Sequence, residues 1–268
     1  LAKSEKPSSV VFYIHGGGWG AQDKTDIHQH LDVRAFLDAG ISVASINYRF
    51  LADANAAKVT PPLQWPLMDA ARALQHLRSK ADEWHLDKTR IAASGVSAGG
   101  CSSLWLAMHD DMADAKSADP IARESTRVLF TATKAPQPSL DPKQLVEWIP
   151  NSEYGGHAFG YAGKTRKETF APFLANRDKH LADLREWSPI PHASADDPPA
   201  VILTTKEDKP PLKGEVQKDP THSAVLGLML QDTLSPFGVK CEVRHPFDGK
   251  PETTMQEMLI QHFTQSKP

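Results

Sequence analysis

Only two cysteines, Cys101 and Cys241, occur in 268 residues. They show no metal-ligand spacing and make no disulfide framework. Cys101 lies in an apolar stretch and reads as a buried free thiol. No apolar run approaches the ~20 residues that a membrane-spanning helix needs. Charge of either sign is not in large excess, with a formal net charge of −3. That balance argues against nucleic acid or an anionic membrane as the main partner. The runs "KTRKE" (164–168) and "NRDKH" (176–180) mix both signs and read as solvated faces. H-E-x-x-H, Walker A, G-x-G-x-x-G and His/Cys clusters are all missing, so neither a metal nor an organic cofactor is expected. The first residue is Leu1, not Met. A removed signal peptide and a trimmed boundary both fit, so the expectation is a soluble chain of open compartment, exported if a signal peptide preceded it.

What is present is an alternation of short apolar runs with helical patterns. "SVVFYIHGGG" reads as a buried strand that ends in a Gly-rich loop. "ISVASINYRF", "TRIAASG", "RVLFTATKA", "PAVILTT" and "VKCEVRHPF" read as further strands. "PLMDAARALQHLRSKADEW" carries Leu67, Ala70, Ala71, Leu74 and Leu77 at helical spacing. "SAGGCSSLWLAMHD", "HSAVLGLMLQDTLSPFG" and "TMQEMLIQHFTQ" are helical as well. Such order predicts one α/β domain over 1–268, a mostly parallel, doubly wound sheet with helices on both faces. The stretch from about 136 to 198 breaks the rhythm. It is too long for an ordinary crossover and rich in Pro, Trp and Gly, so it reads as a cap-like insertion. Its Trp148, Tyr154, Phe159, Tyr161 and Trp187 either line a pocket or form the core of the cap itself.

Two motifs carry chemistry. "GVSAGG" (95–100) contains G-x-S-x-G between a strand and an apolar helix, the context of a nucleophile elbow. Ser97 would project from the top of the sheet at a helix N-terminus, where developing negative charge is favoured. "HGGGWG" (15–20) follows the first strand. Its glycines let backbone N–H groups point at a ligand. Gly17 and Gly18, with Ala98 just after the nucleophile, are the expected oxyanion donors. His15 reads as a loop brace, and Trp19 as packing or a wall of the substrate pocket.

"YIHGGGW", "INYRF", "PLMDAARALQHLR" and "IAASGVSAGG", in this order and spacing, resemble the α/β-hydrolase superfamily. More narrowly, they resemble its hormone-sensitive-lipase-like and carbohydrate-esterase branches, relatives of acetyl-xylan and feruloyl esterases. The resemblance is specific from about Val10 to Met108. "PPAVILTTKED" (198–208) is similar to the family's strand followed by the triad acid. The resemblance implies an α/β-hydrolase fold and a serine carboxylester hydrolase acting on small acyl esters, with acetyl groups on carbohydrates favoured. It implies Ser97 as nucleophile and Asp208 as acid, with Glu207 as the adjacent alternative. Partners would be a small-molecule ester and no nucleic acid.

The base is the open position. In the family, a His follows the last strand, yet 248–253 ("DGKPET") carries none. Glu252 stands near that place. His245, at the end of the same strand, is the first candidate and His222, opening the helix after the acid loop, the second. His157 and His192 could descend from the cap, whereas His262, inside the last helix, reads as structural. The alternative function is a catalytically impaired or inactive homologue that binds a small ester or glycan.

Overall fold

Strand β1 (Ser8–Ile14) is buried along its length and shares its side chains between two apolar layers. Val10, Phe12 and Ile14 enter one layer, and Val11 and Tyr13 the other. A strand's side chains alternate, so a strand apolar at every position needs cover on both faces. The computed structural model describes residues 1–265. In it, β2 (Ile41–Ile46), β3 (Leu86–Val96), β4 (Phe130–Lys134), β5 (Ala200–Leu203) and β6 (Cys241–Arg244) join β1 in one sheet. Its order is β2-β1-β3-β4-β5-β6, and every neighbouring pair is parallel. This is the parallel sheet that the alternating pattern predicts, in the α/β-hydrolase arrangement that the resemblance implies.

Eight helices matter for the site: α1 (Val33–Asp38), α2 (Gln64–Ser79), α3 (Ala98–Met108), α4 (Pro142–Trp148), α5 (Arg166–Ala175), α6 (Leu181–Trp187), α7 (Ala224–Leu234) and α8 (Met255–Gln265). Leu67 and Leu74 of α2 pack with Cys101 and Trp105 of α3 against one face of the sheet. Phe36 of α1 and Leu259 and Phe263 of α8 cover the other. α3 is buried at every residue, which explains its lack of a polar stripe. None of the helices among the described residues is long and apolar enough to cross a membrane.

The connections after β1 and β3 leave in opposite directions, one toward β2 and one toward β4. Such a switch point opens a crevice beyond the strand ends, where ligands bind in open α/β sheets. The Gly-rich loop follows β1 and the elbow follows β3, so both motifs border this crevice.

The segment between β4 and β5 carries α4, α5 and α6. Leu140, Phe159, Phe170, Phe173, Leu184 and Trp187 from it join the same apolar layer as α2 and α3. The segment is therefore continuous with the main core on its inner side. Phe159 and Trp187 are buried in that packing, and Trp148 in a separate cluster with Val225 and Leu226 of α7. Of the five aromatics considered for a pocket wall, Tyr154 alone lines the cavity over Ser97.

Candidate active site

Ser97 sits between β3 and α3 with φ 54° and ψ −121°. This is a sparsely populated region for a residue with a Cβ and costs about 1–3 kcal/mol, a strain typical of sites where a side chain must be aimed. The turn closes because glycines flank it. A Cβ on Gly99 would lie 2.0 Å from the Ile14 carbonyl oxygen, and one on Gly95 would lie 2.5 Å from the Gly99 backbone. No side chain fits at either place. The elbow is thus pressed against the end of β1, which brings the β1 loop to Ser97.

That loop turns sharply. Gly20 N–H donates to the Gly17 carbonyl at 3.1 Å, and Gly18 and Trp19 both have positive φ. Left-handed backbone at both central residues is the signature of a type I′ turn. It leaves the Gly17, Gly18 and Ala98 N–H groups without a protein acceptor among the described residues. Ala98 is the first residue of α3, whose N–H has no intrahelical partner. Three free donors beside Ser97 make a site for negative charge.

His15 holds the loop from behind. It is fully buried, stacked on Tyr48 at 4.2 Å between ring centroids. The Tyr48 hydroxyl lies 2.7 Å from the Gly16 carbonyl and 2.9 Å from that of His15. Burial pushes the His15 pKa down, so the ring is a neutral brace. Trp19 is also fully buried, and its Nε1 donates to Ser102 Oγ at 3.0 Å. It does not line the cavity, so its expected role as a substrate-pocket wall is corrected. The reason is its packing in the core, where the bond to Ser102 of α3 holds the indole beneath the loop.

His222 Nε2 stands 3.0 Å from Ser97 Oγ. His222 Nδ1 stands 2.8 Å from Asp219 Oδ2. Asp219 and His222 share one tight turn, Asp219-Pro220-Thr221-His222, closed by His222 N–H donating to the Asp219 carbonyl at 3.2 Å. Asp at the first and Pro at the second position is the ordinary chemistry of such a turn. The turn is pinned from below by Gln137, just past β4, whose Nε2 donates to the Thr221 carbonyl at 2.7 Å. Arg166 donates to Thr221 Oγ1. Asn151 and Gln217 exchange two bonds, at 2.8 and 3.1 Å.

The expectation of His245 as base is therefore corrected. His245 lies at the mouth of a different cavity, shared with Glu252 and Asp248. Asp248 N–H donates to its carbonyl at 3.0 Å, and Arg244 pairs with Asp248 at 2.7 Å. These bonds hold His245 over β6, three strands from β3 and so roughly 14 Å away at the usual strand spacing. Asp208 makes no hydrogen bond to His222 among the described residues, and Asp219 holds the Nδ1 position instead. Glu207, the alternative acid, accepts from Ala224 N–H at the start of α7, the ordinary place for a carboxylate at a helix N-terminus. His192 Nε2 contacts the Glu186 carbonyl at 2.7 Å, and His262 Nδ1 the Met258 carbonyl at 2.9 Å. Neither lines the cavity.

The cavity over Ser97 encloses about 560 Å³, bounded by the β1 loop, His222, Tyr154, His157 and the start of α5. Burial, with Arg166 nearby, pushes His157 down to about 4. It is neutral near pH 7, and its Nε2 lies against Gly18. No group of His, Cys, Asp and Glu with metal-binding geometry is found among the described residues. Of the site, Asp219, Gln137 and Arg166 escaped the reading of the sequence. For Asp219 a signal existed in "DPTH", a turn that places a carboxylate beside an imidazole.

Residues 1–211 match a family model described as BD-FAE. The chain is 26% identical over 244 residues to gut esterase 1 of Caenorhabditis elegans, covering 90% of this chain and 42% of that protein. It is 25% identical over 207 residues to a probable carboxylic ester hydrolase, LipM, of Mycobacterium tuberculosis, covering 74% and 41%. The chain spans less than half the length of these curated relatives. Among solved structures, an acetyl ester-xyloside bifunctional hydrolase from Caldicellulosiruptor lactoaceticus superposes with a TM-score of 0.63 at 21% identity, over 91% of this chain and 74% of that one. A truncated carbohydrate esterase from gut microbiota gives a TM-score of 0.66 at 17% identity, over 98% and 87%. At such identities the structural likeness speaks for the fold.

Proposed function

The chain belongs to the BD-FAE family, and on that premise we propose that it is a serine carboxylester hydrolase with Ser97, His222 and Asp219 as its triad. The observation that carries this reading is the 3.0 Å contact between Ser97 Oγ and His222 Nε2, beside three free N–H groups. An imidazole at that distance can take the hydroxyl proton, and a carboxylate on its far nitrogen orients it.

In the first step Ser97 Oγ attacks the ester carbonyl carbon while His222 Nε2 takes its proton. The carbonyl oxygen becomes an oxyanion, accepting from the Gly17, Gly18 and Ala98 N–H groups. The tetrahedral adduct collapses, the alcohol leaves with the proton from His222, and an acyl-Ser97 remains. Water, deprotonated by His222, then attacks the acyl carbon. The carboxylic acid departs and Ser97 regains its proton.

Acetyl groups on carbohydrates are the favoured substrate. The support is the resemblance of the N-terminal motifs and the names of two structural neighbours, an acetyl ester-xyloside hydrolase and a carbohydrate esterase. The competing reading, a homologue without a base that only binds, rested on the His-free 248–253 loop. His222 beside Ser97 weighs against it. A fluorophosphonate probe should label the protein at Ser97, and Ser97→Ala should abolish both labelling and p-nitrophenyl acetate hydrolysis. Turnover that survives Ser97→Ala would refute the proposal.

A further inference from the structure

Arg166 begins α5 and belongs to "KTRKE", a run that reads as a solvated face. In the fold this arginine borders the cavity over Ser97. It donates to Thr221 Oγ1, next to His222, and its guanidinium lies 6.0 Å from the Tyr154 ring centre. A guanidinium has five N–H donors, and no carboxylate takes up the remaining ones among the described residues. Arg177, in the same insertion, shows the contrast. Its side chain is taken by Asp141 through two bonds, at 2.7 and 2.5 Å.

The rest of the lining offers this guanidinium no counter-charge. It includes His30, His157 and His222 but neither Asp nor Glu. The Arg166 charge is felt inside, where it helps to hold His157 neutral. A positive fork at the edge of a carboxylate-free cavity matches a planar anion with two oxygens.

We propose that the ester bound at this site carries a carboxylate, gripped by Arg166 while Ser97 attacks the ester carbonyl. This rests on the esterase reading above, and makes Arg166 a specificity-determining residue. The carboxylate can belong to the acyl or to the alcohol part, and two matched pairs separate these. The acyl pair is p-nitrophenyl hemisuccinate and its neutral carboxamide, p-nitrophenyl succinamate. The alcohol pair is m-acetoxybenzoate and m-acetoxybenzamide.

In at least one pair, kcat/KM should favour the carboxylate by about tenfold, equivalent to ~1.4 kcal/mol. The ratio should fall with added salt, drop to near one in Arg166→Gln, and survive in part in Arg166→Lys. A ratio cancels any general loss from the Thr221 contact. Calorimetric binding to Ser97→Ala gives a second readout independent of turnover, with the same preference expected. Ratios near one for both pairs in the unaltered protein, or a preference untouched by Arg166→Gln, would overturn the proposal. Preferential binding of the carboxylate by Ser97→Ala without ester turnover by the unaltered protein would instead sink the esterase reading and leave the Arg166 site standing.

Discussion

His222 and His245 are both histidines near strand ends, and their difference lies in what holds each one. His222 is carried on a turn pinned over β4, while His245 is tied down over β6 by the Arg244–Asp248 pair. His222→Ala should therefore lower kcat for p-nitrophenyl acetate by about 10²–10⁴, the usual contribution of a positioned base. His245→Ala should leave it within about twofold. The reverse ranking in steady-state assays would discard the proposed base. Asp219 is only partly sheltered, with 43% of its side chain exposed against 31% for His222. Water screens such a pair. Asp219→Asn should lower kcat by about tenfold to a hundredfold, less than loss of the base, while Asp208→Asn should change it little.

The elements around Ser97 are set by close backbone contact. β3 and α3 meet the end of β1 through Gly95 and Gly99, where even a methyl group has no room. Gly99→Ala should destabilise the fold by about 1–3 kcal/mol or more, as overpacking in a filled core does, read as a lower urea midpoint at unchanged slope. The turn bearing His222 depends on a different kind of contact. Gln137 is almost fully buried and spans from the end of β4 to the Thr221 carbonyl. Gln137→Ala removes that support and leaves a carbonyl unpaired, a loss of about 1–3 kcal/mol. Part of it should fall on the position of the turn, so labelling of Ser97 by a fluorophosphonate should slow by about tenfold while unfolding stays cooperative. Unchanged labelling would show that the turn holds itself.

For the molecule as a whole, His157 joins catalysis geometry to stability. It lies between β4 and β5 and packs against Gly18, and its pKa falls from 6.5 to about 4 on folding. The unfolded chain thus binds a proton that the folded chain refuses. Stability is unaffected by this group above pH ~6.5 and declines as pH falls toward 4, by at most on the order of 3 kcal/mol. Urea unfolding at pH 7 and pH 4.5 checks this. His157→Gln should lose less stability between the two pH values than the unaltered protein, and an equal loss in both would count against it. The same arrangement places the segment between β4 and β5 on both sides of Ser97, with His157 at the Gly-rich loop and Arg166 at the turn of His222.

Local signals carried much of this. The apolar alternation of β1, the two-before and two-after glycines of Ser97, and the Gly17–Gly18 turn are short-range patterns with short-range causes. They determined the parallel sheet, the strand-to-helix elbow and the Gly-rich loop beside it from sequence alone. "DPTH" was equally local, yet nothing in the chain says which strand end such a turn will overhang. Only the tertiary structure decided that, because reach across a sheet depends on strand order and on what fastens a loop. The segment 204–223 is long enough to return over β4, where Gln137, distant in sequence, fixes it. The stretch after β6 turns back at once under Asp248. Hence the proposed base comes from the loop where the acid was expected, and the buried Trp19 serves the core beneath a cavity that it does not touch.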